Sequence, residues 1–220
     1  MAGQLGRVGL LTGFYRGYGV EFREVVRKRR MVRNYEPDRS VPPEITQRIL
    51  EHAIRAPSAG FSQGWGFLVL EERADLDRFW AAATPPTHVW QQWLENMRHA
   101  PLIIVPHSNK GVYLDRYAED DKGWKDRDEN RWPVPYWDID TGMASLLMLL
   151  TAVDEGLGAC FFGIPPDRTD AYRAEFGVPD DYTPIGAVAV GYRAPDHRSG
   201  SLKRGRRQMD EVVHRGQWAV

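Results

Sequence analysis

The sequence APSAGFSQGW occupies residues 56–65 and joins a predicted helix to a predicted strand. Before it, an apolar stripe predicts a helix over residues 42–55, with two prolines suited to the first turn. After it, residues 65–70 are aromatic and aliphatic, which is typical of a strand. The loop combines small residues with two serines and a glutamine, so its backbone and its polar side chains are available to a heteroaromatic ligand. Taken alone, it is only a helix-to-strand turn.

Helices and strands are mixed along the rest of the chain. Apolar periodicity predicts further helices over residues 20–30, 76–83, 89–98, 139–155 and 166–176. Short apolar runs predict further strands over residues 102–105, 159–162 and 185–192. This mixture indicates an α+β or α/β sandwich and excludes a helical bundle.

The length of 220 residues, 42% of them hydrophobic, suits one domain with a core of ordinary size. We assign that domain to residues 20–220. Residues 1–19 are rich in glycine and are predicted to be a flexible N-terminal extension. The single cysteine, Cys160, excludes an intramolecular disulfide and a multi-cysteine zinc site. Its apolar surroundings predict a buried, inert thiol.

The charges are balanced overall but unevenly distributed. There are 29 Lys and Arg against 30 Asp and Glu, so no global field favours nucleic acid and we expect no nucleic-acid partner. Two basic segments stand out, RRMVR at residues 29–33 and KRGRR at residues 203–207. Each is a candidate phosphate clamp, because the planar guanidinium of arginine gives two parallel charge-assisted hydrogen bonds. The alternatives are a solvated helix end for the first segment and a disordered basic tail for the second.

Several common catalytic and targeting motifs are absent from the sequence. It has no Walker-type phosphate loop, no Gly-x-Ser-x-Gly elbow and no His-Glu-x-x-His motif, and its six histidines are scattered singly. We therefore expect no metal site. We find no secretory signal, and the longest apolar stretch, around residues 143–153, is too short to span a bilayer. A cytoplasmic protein without a membrane partner is expected.

Residues 110–137 are polar, charged and rich in tryptophan and proline. A connection of this length inside a compact domain indicates a lid or a binding loop. Its rings either stack on a flat substrate or bury the segment against the core or a partner subunit. These rings are Trp124, Trp132, Tyr136 and Trp137.

Four features together resemble the nitroreductase-like family of flavoproteins. They are the Arg-Arg-x-x-Arg segment after the first helix, the Pro-Ser-x-x-x-x-Gln-x-Trp loop after the second, the Gly-Leu-Gly turn at residues 156–158 after a long apolar helix, and the basic C-terminal segment. Their order and spacing match that family across about residues 20–218. The resemblance implies an α+β fold, a three-layer sandwich with a central mixed, mainly antiparallel sheet. It also implies an intertwined homodimer with two FMN sites at its interface.

The resemblance also implies which residues would form the site. The residues expected at the phosphate and ribityl end of FMN are Arg29, Arg30, Met31, Arg33, Arg204 and Arg206. The residues expected at the flavin ring are Pro57, Ser58, Ala59, Phe61 and Gln63 of the partner-derived loop, and Phe162 and Gly163 near the reactive nitrogen. The candidate substrate contacts are Trp124, Trp132 and Tyr136.

The match departs from the family pattern at three positions. Met31 stands where the family commonly has serine, Phe61 where it often has asparagine, and Gly64 where it often has proline. Phe61 replaces a polar contact to the flavin with an apolar or stacking one. The Gly60-Phe61 pair is also similar to a branch of the family that destroys flavin to make dimethylbenzimidazole.

The activity that the resemblance implies is a transfer of reducing equivalents from NADPH or NADH to a small acceptor, such as a nitroaromatic or a quinone, by a ping-pong mechanism. No catalytic side chain is expected, because the chemistry takes place on the cofactor. Two functions stay open besides the flavin-destroying one. In the first, the protein stores or senses FMN without catalysis. In the second, it binds no flavin, and its basic clusters bind an acidic protein or nucleic acid.

Overall fold

The computed structural model of the protein describes residues 21–85, 91–195 and 200–218. The flexible extension predicted over residues 1–19 lies outside these ranges. The strands are β1 (Trp65–Leu70), β2 (Leu102–Ser108), β3 (Gly158–Phe162), β4 (Thr183–Pro184) and β5 (Ala187–Gly191). The helices are α1 (Phe22–Lys28), α2 (Pro43–Ala53), α3 (Arg73–Ala83), α4 (Gln91–Met97), α5 (Lys110–Ala118), α6 (Tyr136–Asp154), α7 (Thr169–Phe176) and α8 (Met209–Val212).

The described strands form one sheet in the order β1-β2-β5-β3, with β4 also paired to β2. The pairings between these strands are antiparallel. An isolated parallel bridge between Met31 and Ala159 adds the chain after α1 to the outer edge of β3. The sheet is therefore mixed but mainly antiparallel, as predicted.

The sheet separates two hydrophobic cores, because successive residues of a strand point to opposite faces. On one face, Ile103 and Val105 pack with aromatic rings from α3 and α7. On the other face, Leu102 and Ile104 pack with α2 and α6. Each such side chain contributes about 1.5–3 kcal/mol when it is fully buried. Helices on both faces make the molecule a three-layer sandwich, and the predicted α+β fold is confirmed.

Most predicted elements are confirmed with shifts at their ends. Strand β1 has the predicted bounds, whereas α3 begins at Arg73 and α6 at Tyr136, three residues earlier than predicted in each case. Cys160 is 1% exposed, as expected of a buried thiol. Among the described helices, none is long and apolar enough to cross a membrane.

The structure differs most from the sequence-based prediction over residues 110–137. The first part of this region is helix α5, which the interpretation as one long connection missed. Asn109 caps the helix, since its side-chain oxygen accepts a hydrogen bond from the backbone N–H of Val112 at 3.2 Å. Tyr113 anchors α5 and is fully buried. A helix of nine residues with one buried side chain carries too little periodicity to be predicted.

Candidate functional site

The arginine segment after α1 contains a buried cationic nitrogen without a partner. Arg29 ends α1, where its backbone N–H donates to the carbonyl of Val25 at 2.9 Å. Its side chain is half-buried, and its Nη1 atom is buried with no hydrogen-bond partner among the described residues. A buried polar atom left in this state costs about 1–3 kcal/mol, and more when the group is charged. The position therefore favours an anionic ligand.

The neighbours of Arg29 have local roles in this structure. The Nη1 of Arg30 donates to the carbonyls of Arg27 at 2.8 Å and Arg29 at 3.0 Å, so this cation lies at the C-terminal end of α1, where the helix dipole favours it. Arg33 donates through Nη1 to the carbonyl of Met31 at 3.3 Å. The side chain of Met31 packs against both cores. The departure from serine at this position therefore serves packing in this chain.

The loop between α2 and β1 has an unusual backbone. Gly60, Phe61 and Gln63 all have positive φ, at 62°, 57° and 53°. Phe61 is nevertheless 74% exposed. Within the loop, the backbone N–H of Gln63 donates to Oγ of Ser58 at 3.0 Å, and Oγ of Ser62 donates to the carbonyl of Ala59 at 2.6 Å. The loop is thus closed by its own side chains in a conformation that L residues rarely adopt.

A buried carboxylate holds the start of this loop. Asp140, near the N-terminus of α6, is 3% exposed. Its Oδ2 accepts hydrogen bonds from the backbone N–H of Ala59 and from the hydroxyl of Tyr113, both at 2.8 Å. Burial, followed by the hydrogen bond to Asp140, raises the pKa of Tyr113, so the hydroxyl stays protonated and donates. Sequence reasoning missed Asp140, although an acidic residue inside the most apolar helix was the signal for it.

Helix α5 supports the middle of the loop. The Nε of Arg116 donates to the carbonyl of Gly60 at 3.0 Å, and its two Nη atoms form a bidentate pair with Asp121 at 2.7 and 2.8 Å. The ring of Tyr117 lies against Gly60, where an added Cβ would come within 2.7 Å of it. Glycine is required at this position both for its positive φ and for this close approach.

Six rings next to the loop form an aromatic cluster. They are Tyr113, Tyr117, Trp124, Trp132, Tyr136 and Trp137. Trp132 lies at the centre, with its ring centroid 4.5 Å from that of Tyr117 and 5.5 Å from that of Trp124. Its Nε1 is buried and has no hydrogen-bond partner in the described part of the chain. The structure thus brings together the three predicted substrate contacts, and it also joins them to the loop through Tyr117.

The end of β3 presents backbone to solvent. The ring of Phe162 stacks on Trp80, with centroids 5.5 Å apart and planes 8° apart. Gly163 follows and is exposed, and a Cβ added there would meet nothing within 4 Å. The stack of Phe162 on Trp80 therefore fixes the end of β3, and the peptide that follows at Gly163 is accessible to a ligand.

The C-terminal basic segment lies on the surface. Arg204 and Arg206 are both exposed, and Arg207 donates to the carbonyl of Glu211 at 2.8 Å. This hydrogen bond joins the basic segment to helix α8. Its pairing with the arginines at residues 29–33 stays a prediction.

Residues 26–192 match the sequence model of the nitroreductase family. The chain is 30% identical over 173 residues to a protein of Methanothermobacter thermautotrophicus named as a candidate NADH dehydrogenase/NAD(P)H nitroreductase, a match that covers 78% of this chain and 76% of the relative. The fold is similar to that of a nitroreductase family protein from Clostridium difficile, with a TM-score of 0.66, 25% identity and coverage of 90% of this chain and 100% of that one. It is also similar to a candidate nitroreductase from Desulfovibrio desulfuricans solved in complex with FMN. In that case the TM-score is 0.65 at 23% identity, and the match covers 90% and 98% of the two chains.

Proposed function

Because the chain belongs to the nitroreductase family, we propose that it is an FMN-dependent oxidoreductase that transfers reducing equivalents from NADPH or NADH to a small acceptor. Nitroaromatics and quinones are the acceptor classes that we favour. The relative from M. thermautotrophicus carries a nitroreductase name, and the fold relative from D. desulfuricans binds FMN, which supports the proposal.

The observation that carries the proposal is the Nη1 atom of Arg29, which is buried and has no hydrogen-bond partner in the described part of the chain. A phosphate oxygen would satisfy this donor and neutralise the charge, which a neutral ligand would not do. We propose that Arg30, Arg33, Arg204 and Arg206 add positive potential around the same phosphate, and that the backbone at Met31 approaches the ribityl chain. The residues present therefore fit the phosphate end of FMN.

The flavin ring would lie between two backbone segments. One is the peptide after Phe162, where Gly163 leaves open space. The other is the loop at residues 57–63, with Pro57, Ser58, Ala59 and Gln63 offered by the partner subunit. Bound FMN supplies the two-electron redox chemistry, so the protein needs no nucleophile of its own. The side chains of this chain would bind the phosphate, orient the ring and exclude water, and backbone N–H groups beside a bound ring would favour its anionic reduced form.

We further propose that the protein is a homodimer with the cofactor at its interface. Helix α6 exposes Ile139, Met143 and Leu146, which share one face because they are spaced by four and three residues. Helix α1 exposes Phe22 and Val26 in the same way. The segment from residue 200 onward exposes Leu202, Met209, Val212, Val213 and Trp218. Exposed apolar stripes of this kind indicate an interface, and a second copy of the chain is the occupant that a shared flavin site requires.

The first test is the near-ultraviolet and visible absorbance of the purified protein, before and after anaerobic addition of NADPH. We expect flavin bands that bleach. In Arg29→Ala we expect at least tenfold weaker FMN binding without unfolding, since the phosphate loses a charge-assisted bond. The matched control is Arg73→Ala, which removes an exposed arginine on α3 and should bind FMN as the wild type does. Equal flavin affinity in Arg29→Ala would contradict the phosphate assignment.

The same preparation separates the alternatives. Flavin bands that persist after addition of NADPH and NADH, with no turnover, would support a protein that stores or senses FMN. Flavin bands that disappear irreversibly in air, with release of dimethylbenzimidazole, would support the flavin-destroying activity. A colourless protein that does not bind added FMN would contradict the proposed function.

A further inference from the structure

Phe61 combines strain with exposure. A bulky side chain at φ 57° is a backbone outlier, because its Cβ crowds the following carbonyl. The ring is 74% exposed and belongs to neither hydrophobic core cluster. The ring therefore contributes little to the stability of the protomer, and the positive φ of Phe61 lowers that stability.

The surrounding structure keeps the loop in this conformation. Asp140 binds the backbone N–H of Ala59, and Arg116 binds the carbonyl of Gly60, so the peptides before Phe61 are fixed from two helices. After Phe61, the backbone N–H of Gln63 is bound by Ser58. Strain that persists because its surroundings over-determine it is typical of functional sites.

The loop that carries Phe61 borders the aromatic cluster. Gly60 lies against Tyr117, and Tyr117 contacts Trp124 and Trp132 in the aromatic cluster. Phe61 is therefore the exposed aromatic residue of the loop that borders this cluster. A phenyl ring has no hydrogen-bonding group, so it offers a flat molecule stacking and apolar contact only.

We propose that Phe61 is the residue that selects planar aromatic acceptors by stacking on them in the reaction proposed above. The inference rests on the proposed function, and it assigns a role to the position where this chain departs from the family's asparagine. The loop holds the backbone of Phe61 in one conformation before the acceptor binds. Less conformational entropy is therefore lost on binding.

The test compares two acceptors in steady-state turnover of the FMN-loaded enzyme. A naphthoquinone offers a flat face, whereas ferricyanide is a compact anion without one. In Phe61→Leu and Phe61→Asn we expect KM for the naphthoquinone to rise about tenfold, the loss that one stacking contact predicts. For both variants, KM for ferricyanide should rise much less than KM for the naphthoquinone, because ferricyanide has no flat face that could stack on the ring.

Thermal unfolding separates stacking from strain. Asparagine tolerates positive φ and leucine does not, so Phe61→Asn should unfold a few degrees higher than Phe61→Leu, although both lose selectivity. As a control, Asp38→Gly relaxes a residue at φ 60° in an exposed turn outside the site. This variant should leave both KM values unchanged.

The proposal is overturned if the Phe61 variants reduce the naphthoquinone with wild-type KM, or if KM rises by the same factor for the naphthoquinone and for ferricyanide. It is also overturned if the variants become monomeric in sedimentation, since the ring would then belong to the subunit interface. Failure of the proposed function has a different signature, a wild-type protein that holds no FMN or reduces neither acceptor, and it would remove the Phe61 assignment as well.

Discussion

At the scale of single residues, the site depends on polar atoms that the apolar core surrounds. The carboxylate of Asp140 joins Ala59 of the loop to Tyr113 of α5, and it is almost fully buried. Hydrogen bonds to an ionised group are stronger than those between neutral groups, and an unpaired buried donor is costly. Asp140 is therefore a positioning residue for the loop.

The change Asp140→Ala should lower the free energy of unfolding by about 2–4 kcal/mol, because it leaves the Ala59 N–H and the Tyr113 hydroxyl without their acceptor. It should also weaken FMN binding, since the loop is released. Chemical denaturation and flavin titration measure the two effects.

The matched control is Asp138→Ala, which removes an acidic side chain two residues before Asp140 on the same helix. Asp138 accepts a hydrogen bond from Ser108 at 2.6 Å and does not bind the loop. It should cost some stability but leave FMN affinity unchanged. If both variants lose flavin equally, the loop does not depend on Asp140 in particular.

At the scale of elements, the segment between α5 and α6 is held by two kinds of contact. Ion pairs join Lys125 to Asp120, Arg127 to Asp115 and Arg131 to Asp126. These pairs are exposed, so each contributes little and salt screens it. The aromatic cluster around Trp132 is part-buried and unaffected by salt, and we infer that it fixes the segment.

We expect Trp132→Ala to destabilise the segment by about 2 kcal/mol, with faster hydrogen exchange and faster proteolysis over residues 119–135. At 1 M NaCl the screening length is roughly 3 Å, so ion pairs at the surface are weakened. Hydrogen exchange in the wild-type segment should nevertheless stay nearly unchanged. Rapid exchange in salt alone would show that the ion pairs, and not the rings, hold the segment.

The sequence allowed prediction of the elements with strong local patterns. Strand β1 has the predicted bounds, because its six residues are aromatic or aliphatic apart from one glycine and a turn precedes them. Helix α5 and Asp140 escaped prediction for a shared reason. Both depend on long-range partners, the burial of Tyr113 and the approach of Ala59, which periodicity does not contain. The positive φ of Phe61 is likewise set by contacts from two helices distant in sequence.

At the scale of the whole molecule, the exposed apolar stripe on α6 decides the proposed assembly. Leu146→Glu places a charge on this stripe, where Leu146 is 48% exposed, and should leave the fold of the protomer intact. We expect the variant to sediment as a monomer and to lose FMN, because the proposed site needs the loop of the partner subunit.

Ala171→Glu is the control, since it adds the same charge to the exposed surface of α7. It should stay dimeric and keep its cofactor. A monomeric Leu146→Glu protein that retains FMN would contradict a site shared between subunits, and a dimeric one would place the interface elsewhere.

The parallel bridge between Met31 and Ala159 has a consequence for which flavins fit. The backbone N–H of Val32 donates to the carbonyl of Ala159 at 3.0 Å, so the chain that carries Arg29 is fastened to β3. From Ala159 to Phe162 the strand advances by roughly 10 Å, at about 3.3 Å per residue. We infer that the sheet holds Arg29, the residue proposed to bind the phosphate, at a fixed separation from the peptide after Phe162. If Arg29 binds the FMN phosphate as proposed, we expect riboflavin to bind more weakly, because it has no phosphate to reach Arg29, and a dinucleotide to bind more weakly, because it would extend beyond Arg29.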